Sequence, residues 1–310
     1  MVAAPAVVAV VGPTASGKSA LARSRARARG GEIVSCDSLQ VYRGLDVGSA
    51  KATREERAAV PHHLLDVVEP EEAFSAADYA RQARTALSGI VGRGRLPIVA
   101  GGTGLYLKAL LQGLFEGPAR DEPLRGRLAA MAVRFGDARL HRLLARVDPE
   151  AAARLPARDR VRVVRALEVF WTTGRPLSAH HRTGSEPLRG FSPRLVGIAP
   201  DRGALRQAIE RRTRQMLQGG LLEEVRGLLA RGLPPDSRPL RSIGYRQAVA
   251  VLQGKMARPE AERDIVAATL RFAKRQMTWF RHQAEVTWCT DGEGAYERVQ
   301  GWLAGTHPAT

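Results

Sequence analysis

Gly12-Pro13-Thr14-Ala15-Ser16-Gly17-Lys18-Ser19 matches the phosphate-binding pattern G-x-x-x-x-G-K-S at every fixed position. It follows an apolar, β-branched run at 7–11 and precedes a helical stretch at 20–28. No other feature of the chain constrains its fold as strongly. In a strand–loop–helix setting, glycines let successive backbone N–H groups converge on phosphate oxygens, and the helix N-terminus adds partial positive charge. Lys18 supplies a cation for the terminal phosphate, and the Ser19 hydroxyl is a ligand for Mg²⁺. A strand this apolar is buried on both faces, which requires crossover helices on either side of a parallel sheet.

The rest of the chain follows that pattern. Short apolar runs recur at 32–36, 64–68, 97–100, 195–199 and 286–289, with helical periodicity at 75–91 and 104–111. Alternating strands and helices predict an α/β fold, a P-loop NTPase-like core with a mainly parallel sheet. From about 115 to 194 the strand runs vanish. Helical stretches at 123–135, 138–146, 151–155 and 160–173 take over, punctuated by prolines. The expected organisation is therefore a core of residues 1–114 and 195–310, interrupted by a helical insertion domain at 115–194.

A phosphate loop does not say which phosphate it holds. A triphosphate enzyme normally places a second acid at the end of a neighbouring strand to hold the metal, yet the run at 97–100 ends in Gly101-Gly102-Thr103-Gly104. Those glycines allow a close backbone approach to a ligand, and Thr103 offers a hydroxyl. Asp37 follows the run at 32–36, where a parallel sheet places its ligands. It can ligate Mg²⁺, take a proton from a nucleophile, or cap a helix. A small-molecule kinase using ATP and an RNA-binding protein with an unused phosphate loop both remain open on these motifs.

Charge narrows the partner. The 310 residues hold 48 Lys+Arg against 31 Asp+Glu, a formal net charge of +17. The excess is concentrated: residues 115–194 hold 16 arginines against 9 acids, and residues 241–281 hold nine Lys+Arg against three acids. Within the second segment, Val266, Leu270, Ala273, Met277 and Phe280 form an apolar helical seam. Arg271, Lys274, Arg275, Thr278 and Arg281 lie away from it, with Gln276 and Trp279 nearby. Basic residues interleaved with aromatic ones suit phosphate contacts and base stacking, and Ser242-Ile243-Gly244-Tyr245-Arg246 repeats the theme. The two cysteines, Cys36 and Cys289, are too few for a disulfide framework or a cysteine zinc site. The longest apolar run, 2–11, is too short to span a bilayer and lacks a basic leader, so a cytoplasmic protein without a membrane segment is expected.

Taken in order, these stretches resemble the bacterial tRNA dimethylallyltransferases, the adenosine isopentenyltransferase family. The series is the phosphate loop, D-S-L-Q-V-Y-R-G-L-D-V-G-S-A-K at 37–51, P-H-H-L-L-D at 61–66 and G-G-T-G-L-Y at 101–106. R-A-L-E-V at 165–169, S-I-G-Y-R-Q at 242–247 and K-R-Q-M-T-W-F-R at 274–281 follow. The resemblance implies transfer of a dimethylallyl group from its diphosphate to N6 of the adenine beside the anticodon's third base. It puts Gly12 through Ser19 on the diphosphate, gripped by Thr14, Gly17, Lys18 and Ser19, with Mg²⁺ sharing its charge. Asp37 becomes the general base, Thr103 lies beside the reacting groups, and Arg212 holds the diphosphate.

The same resemblance assigns tRNA contacts. Asp37, Ser38, Leu39, Gln40 and Thr103 would surround the flipped adenine. Further contacts fall on Arg125, on Val161, Arg162, Val163, Val164 and Arg165, and on Arg241, Ser242, Ile243, Gly244, Tyr245 and Arg246. The last set is Lys274, Arg275, Gln276, Met277, Thr278, Trp279, Phe280 and Arg281. Family members act as monomers on tRNA, which is the expectation here.

Overall fold

The computed structural model describes residues 4–115, 117–118, 120–183 and 186–304; Val2, at the head of the first apolar run, lies outside them. Its centre is a six-stranded sheet: β1 (Ala6–Val11), β2 (Glu32–Cys36), β3 (His62–His63), β4 (Pro97–Gly101), β5 (Ser192–Ile198) and β6 (Thr287–Cys289). The strand order is β3-β2-β4-β1-β5-β6, and every neighbouring pair is parallel. The alternation of β-strand side chains explains the two cores. Val7, Ala9 and Val11 join Val34, Val99, Tyr79, Leu87 and Ile90 on one face. Val8 and Val10 join Ile33, Ile98, Val196 and Ile198 on the other.

Helices cover both faces. The first four are α1 (Lys18–Arg29), α2 (Arg54–Ala59), α3 (Ala76–Gly92) and α4 (Gly104–Gln112). A helical series follows: α5 (Glu122–Phe135), α6 (Asp137–Val147), α7 (Pro149–Arg154), α8 (Arg160–Thr173) and α9 (Leu177–Thr183). After β5 come α10 (Arg202–Gln218), α11 (Leu221–Ala230), α12 (Tyr245–Leu252) and α13 (Arg258–Gln283), with α14 (Gly292–Ala304) after β6. Helix α3 starts where the sequence expects it, because Ser75 and Asp78 form a reciprocal capping box. Among the described residues no helix is long and apolar enough to cross a membrane.

One expected strand is displaced. The run at 64–68 does not pair as a strand; His62–His63 takes that place beside β2, and only a single bridge joins Tyr42 to Val68. The cause is Asp66. Its carboxylate accepts from Lys51 Nζ at 2.6 Å and Arg57 Nη1 at 2.7 Å, and Leu64 and Asp66 both adopt positive φ (62° and 55°). Extended backbone cannot satisfy those values.

The chain divides into Met1–Leu111 with Leu188–Thr310, and Gln112–Pro187. The seams fall before 115 and before 194 because the Leu188 N–H donates to the Leu111 carbonyl at 2.9 Å and Ser192 already opens β5. Residues 188–194 thus belong with the sheet.

The Gln112–Pro187 unit has its own core, including Leu128, Leu140, Leu144, Val163 and Leu167. Buried Glu168 ties it together. It accepts from Arg125 Nε and Nη2 at 2.7 and 2.8 Å, from Arg165 Nη1 at 2.6 Å and from the Asp121 N–H at 2.9 Å. Burial pushes this carboxyl up, but the two arginines outweigh it and hold the pKa at about 2. A depressed carboxylate contributes stability that is fully present above the ordinary glutamate value of 4.5 and is lost as pH falls towards 2. Glu168→Gln strands two guanidinium groups against each other, and the unit is expected to lose about 3 kcal/mol at neutral pH. Urea unfolding followed by the fluorescence of Trp171 checks this; an unchanged midpoint would show that the arginines find other partners.

Candidate functional site

The site forms at the carboxyl ends of β1, β2 and β4. At the end of β1, Gly12 has φ +144° and a Cβ there would lie 2.7 Å from the Ile198 carbonyl oxygen, so only glycine fits. Gly17, at φ +89°, opens α1. Between them the Ser16 hydroxyl is buried with no hydrogen-bond partner among the described residues. Lys18 donates from Nζ to the Pro13 carbonyl at 3.0 Å. Burial and, after it, the charge of Arg212 lower its pKa to about 8, against the opposing pull of Asp37. A cation in that condition gains from an incoming anion.

At the end of β2, Asp37 Oδ1 accepts from the N–H groups of Leu39 (2.8 Å) and Gln40 (3.4 Å). It therefore caps a turn, not a helix. Its Oδ2 has no hydrogen-bond partner among the described residues and stays open to a proton. The Ser38 N–H donates to Thr103 Oγ1 at 3.1 Å, and the Thr103 N–H to the Cys36 carbonyl at 3.1 Å, which joins the β2 and β4 ends. Gln40 braces the same turn: it accepts from Ser35 Oγ at 2.8 Å and donates to the carbonyls of Ser49 and Ala50, each at 3.3 Å.

Arg212 reaches in from α10. Its Nη1 donates to Thr14 Oγ1 at 3.0 Å and its Nη2 to the Ser49 carbonyl at 3.4 Å. Burial lowers its pKa, and Asp37 and Tyr245 pull the other way. No carboxylate among the described residues forms an ion pair with it. From α13, Gln276 accepts from the Thr14 N–H and donates to the Gly102 carbonyl, both at 2.9 Å.

That contact bears on two expectations. Gln276, expected to contact tRNA, is largely buried, braces the phosphate loop and lines the cavity described below. Gly102 and Gly104 make room for α13, not for a ligand: a Cβ would meet Gln276 Nε2 at 2.2 Å and the Trp279 ring at 2.3 Å respectively.

Several of these groups share a cavity of about 390 Å³. Thr14, Asp37, Ser38, Ser49, Thr103, Arg212 and Gln276 form its polar part. Ile209, Met216, Ile243, Ile265 and Phe272 give it an apolar wall, and Arg238, Arg241, Arg246 and Arg275 contribute positive charge. That volume suits a small organic ligand. Among the described residues no cluster of three or more His, Cys, Asp or Glu could hold a metal by itself.

The other expected contact residues divide by burial. Lys274, Arg275, Thr278 and Arg281 are exposed along α13, and Met277 and Trp279 half-buried, whereas Phe280 lies in the core. The buried seam of α13 runs through Ile265, Ala268, Ala273, Gln276 and Phe280, so Val266 and Leu270 lie at its margin. Tyr245 is fully buried, with its hydroxyl donated to Glu224 Oε1 at 2.7 Å. Arg241 and Arg246 are exposed, Gly244 opens α12 at φ +92°, and Ser242 Oγ donates to the Pro239 carbonyl.

In the Gln112–Pro187 unit, Val163 and Val164 are core residues, and Arg125 and Arg165 are committed to Glu168. Burial and pairing make these four parts of the unit's framework. Val161 is 75% exposed, and exposed Arg162 pairs with Asp159. Sequence reasoning missed Glu224 and Arg238, since neither lies in a motif it singled out.

Comparison with known proteins gives a consistent result. The sequence profile of the IPP transferase family matches residues 40–283. A tRNA dimethylallyltransferase of Solibacter usitatus (strain Ellin6076) is 48% identical over 291 residues, 94% of each chain. One from Geobacter metallireducens is 50% identical over 302 residues, 96% of each chain. Among solved structures, the full-length tRNA isopentenylpyrophosphate transferase of Bacillus halodurans has a TM-score of 0.70 at 38% identity, covering 97% of this chain and 96% of its own. A eukaryotic dimethylallyltransferase acting on tRNA has a TM-score of 0.78 at 22% identity, covering 99% of this chain and 81% of its own; that likeness concerns the fold alone.

Proposed function

Because the chain belongs to the IPP transferase family, we propose which of its residues perform the transfer that names its relatives. The chain is a transferase that attaches a dimethylallyl group to tRNA. The donor in this reading is dimethylallyl diphosphate and the acceptor is N6 of the adenine beside the anticodon's third base. N6 forms a bond to the allylic carbon as the C–O bond breaks. The bonding pair leaves with the diphosphate, and the N6 proton passes to Asp37 Oδ2.

Lys18 and Arg212 meet the charge that develops on the leaving diphosphate, in a site where neither forms an ion pair with a carboxylate among the described residues. Phosphate-loop N–H groups and the orphaned Ser16 hydroxyl complete the cradle. With no acid cluster among the described residues, a Mg²⁺ ion would be held by the Ser19 hydroxyl together with the diphosphate, whose charge it would share. Thr103 keeps the Asp37 turn in place through the Ser38 N–H.

Arg238, Arg241, Arg246 and Arg275 around the cavity suit the phosphates of an anticodon loop, with Phe272 available for stacking. A flipped adenine then enters beside Asp37, Ser38 and Leu39. In this reading the chain works on tRNA as a monomer in the cytoplasm.

The observation that carries this reading is the presence, in one cavity, of an arginine that forms no ion pair among the described residues and an aspartate whose second oxygen is open. Incubation with dimethylallyl diphosphate labelled in its alkyl group and unmodified tRNA tests it. Label is expected in the tRNA, with one diphosphate released per label and no requirement for ATP. Label that appears only when ATP and a small acceptor are supplied would sink it.

A further inference from the structure

Glu224 lies in the first turn of α11, outside the motifs described above, yet its carboxylate collects four hydrogen bonds. Oε2 accepts from the N–H groups of Asp46 (2.8 Å) and Val47 (2.6 Å), and Oε1 from the Gly48 N–H (3.2 Å) and the Tyr245 hydroxyl (2.7 Å). Three successive amides turned onto one oxyanion form a nest, and the carboxylate fixes the backbone that makes it. The loop is clamped from a second side as well. Gly48 lies against the Tyr245 ring, where a Cβ would approach to 2.4 Å.

The residue after this nest is Ser49. Its carbonyl accepts from Arg212 Nη2 at 3.4 Å and from Gln40 Nε2 at 3.3 Å, and its hydroxyl folds back onto the Leu45 carbonyl at 2.6 Å. Arg212 makes only two hydrogen bonds to described residues, one to Thr14 of the phosphate loop and one to this carbonyl. An arginine without a carboxylate partner is aimed by whatever its fork can reach. Half of that aim rests on a loop whose shape Glu224 dictates.

We propose that Glu224 is a positioning residue for diphosphate capture: by holding the 46–48 amides it places the Ser49 carbonyl that orients Arg212. The inference rests on the reading of Arg212 as a diphosphate ligand. Tyr245, in the S-I-G-Y-R-Q stretch, is thereby connected to the donor site through Glu224.

Calorimetric titration of the full chain with inorganic diphosphate separates this role from a purely structural one. Glu224→Ala is expected to weaken binding about tenfold, although it deletes a negative charge near an anion site, and simple electrostatics would strengthen binding. In an Arg212→Ala background the same change is expected to cost less than about twofold, because the group it positions is gone. Tyr245→Phe removes one of the four hydrogen bonds. It provides a milder variant should Glu224→Ala fail to fold, with an expected weakening of about threefold that again vanishes beside Arg212→Ala.

Equal losses in both backgrounds, no loss, or tighter binding would each overturn the proposal. If Arg212→Ala alone leaves diphosphate affinity unchanged, the assignment of Arg212 fails first. If Arg212→Ala weakens binding and the Glu224 losses are additive to it, the positioning role alone fails.

Discussion

Asp37→Asn is expected to slow dimethylallyl transfer about 1,000-fold while tRNA affinity stays within about twofold. The substitution keeps Oδ1, which accepts from the Leu39 and Gln40 N–H groups, so the turn that shapes the adenine pocket survives. It replaces Oδ2, the oxygen left open for the N6 proton, with an amide nitrogen that cannot accept one. Asp37→Ala removes both oxygens and should add a loss of turn geometry to the same loss of base. Single-turnover rates with saturating tRNA, alongside tRNA affinity by filter binding, separate the two contributions. An Asn variant that transfers at near the parent rate would show that water, not this carboxylate, takes the proton.

The second large effect is expected at Arg212. Its removal takes away a cation that, with Lys18, contacts the phosphate loop, and the transfer rate should fall about 100- to 1,000-fold. Arg212→Lys should recover only a small part. A single ammonium cannot reach both Thr14 Oγ1 and the Ser49 carbonyl, which the guanidinium bonds through separate nitrogens. The loss should appear in the chemical step as well as in donor affinity, because charge on the diphosphate grows as the C–O bond breaks. Rapid-quench measurements at saturating donor check this. A variant whose rate recovers fully at high donor concentration would make Arg212 a ground-state ligand only.

Features set by local chemistry were legible in the sequence. The phosphate loop, the β1 strand before it, Asp37 at the end of β2 and the helical run that opens near Ser75 depend on residues a few positions apart, and all can be read along the chain. Features set by long-range pairing were not. Arg125 reads as a free basic residue until Glu168, 43 positions away, is seen to hold it. Glu224 gives no signal at all, since the amides it organises lie 176 to 178 residues earlier. Gly102 and Gly104 promised room for a ligand, but the space is filled by Gln276 and Trp279 of α13.

Charge illustrates both situations. The excess of arginine was visible from composition, yet in the 115–194 segment several arginines are tied to acids: Arg125 and Arg165 to Glu168, Arg160 to Asp137, and Arg162 to Asp159. Arg212, which forms no ion pair among the described residues, carries more of the chemistry than the count implied. A basic residue becomes informative once its partner, or the absence of one, is known.

Nucleoside analysis of the product tests the central claim most directly. Unmodified tRNA is incubated with the full chain and dimethylallyl diphosphate deuterated in its alkyl group, digested to nucleosides, and examined by mass spectrometry with fragmentation. The account predicts one dimethylallyl group per acceptor tRNA, attached to the exocyclic nitrogen of the adenosine beside the anticodon, and none when Asp37 is replaced by Asn on the same timescale. A group found on a ring nitrogen, on ribose or on another base, or an adenosine modified equally by the Asn variant, would contradict it.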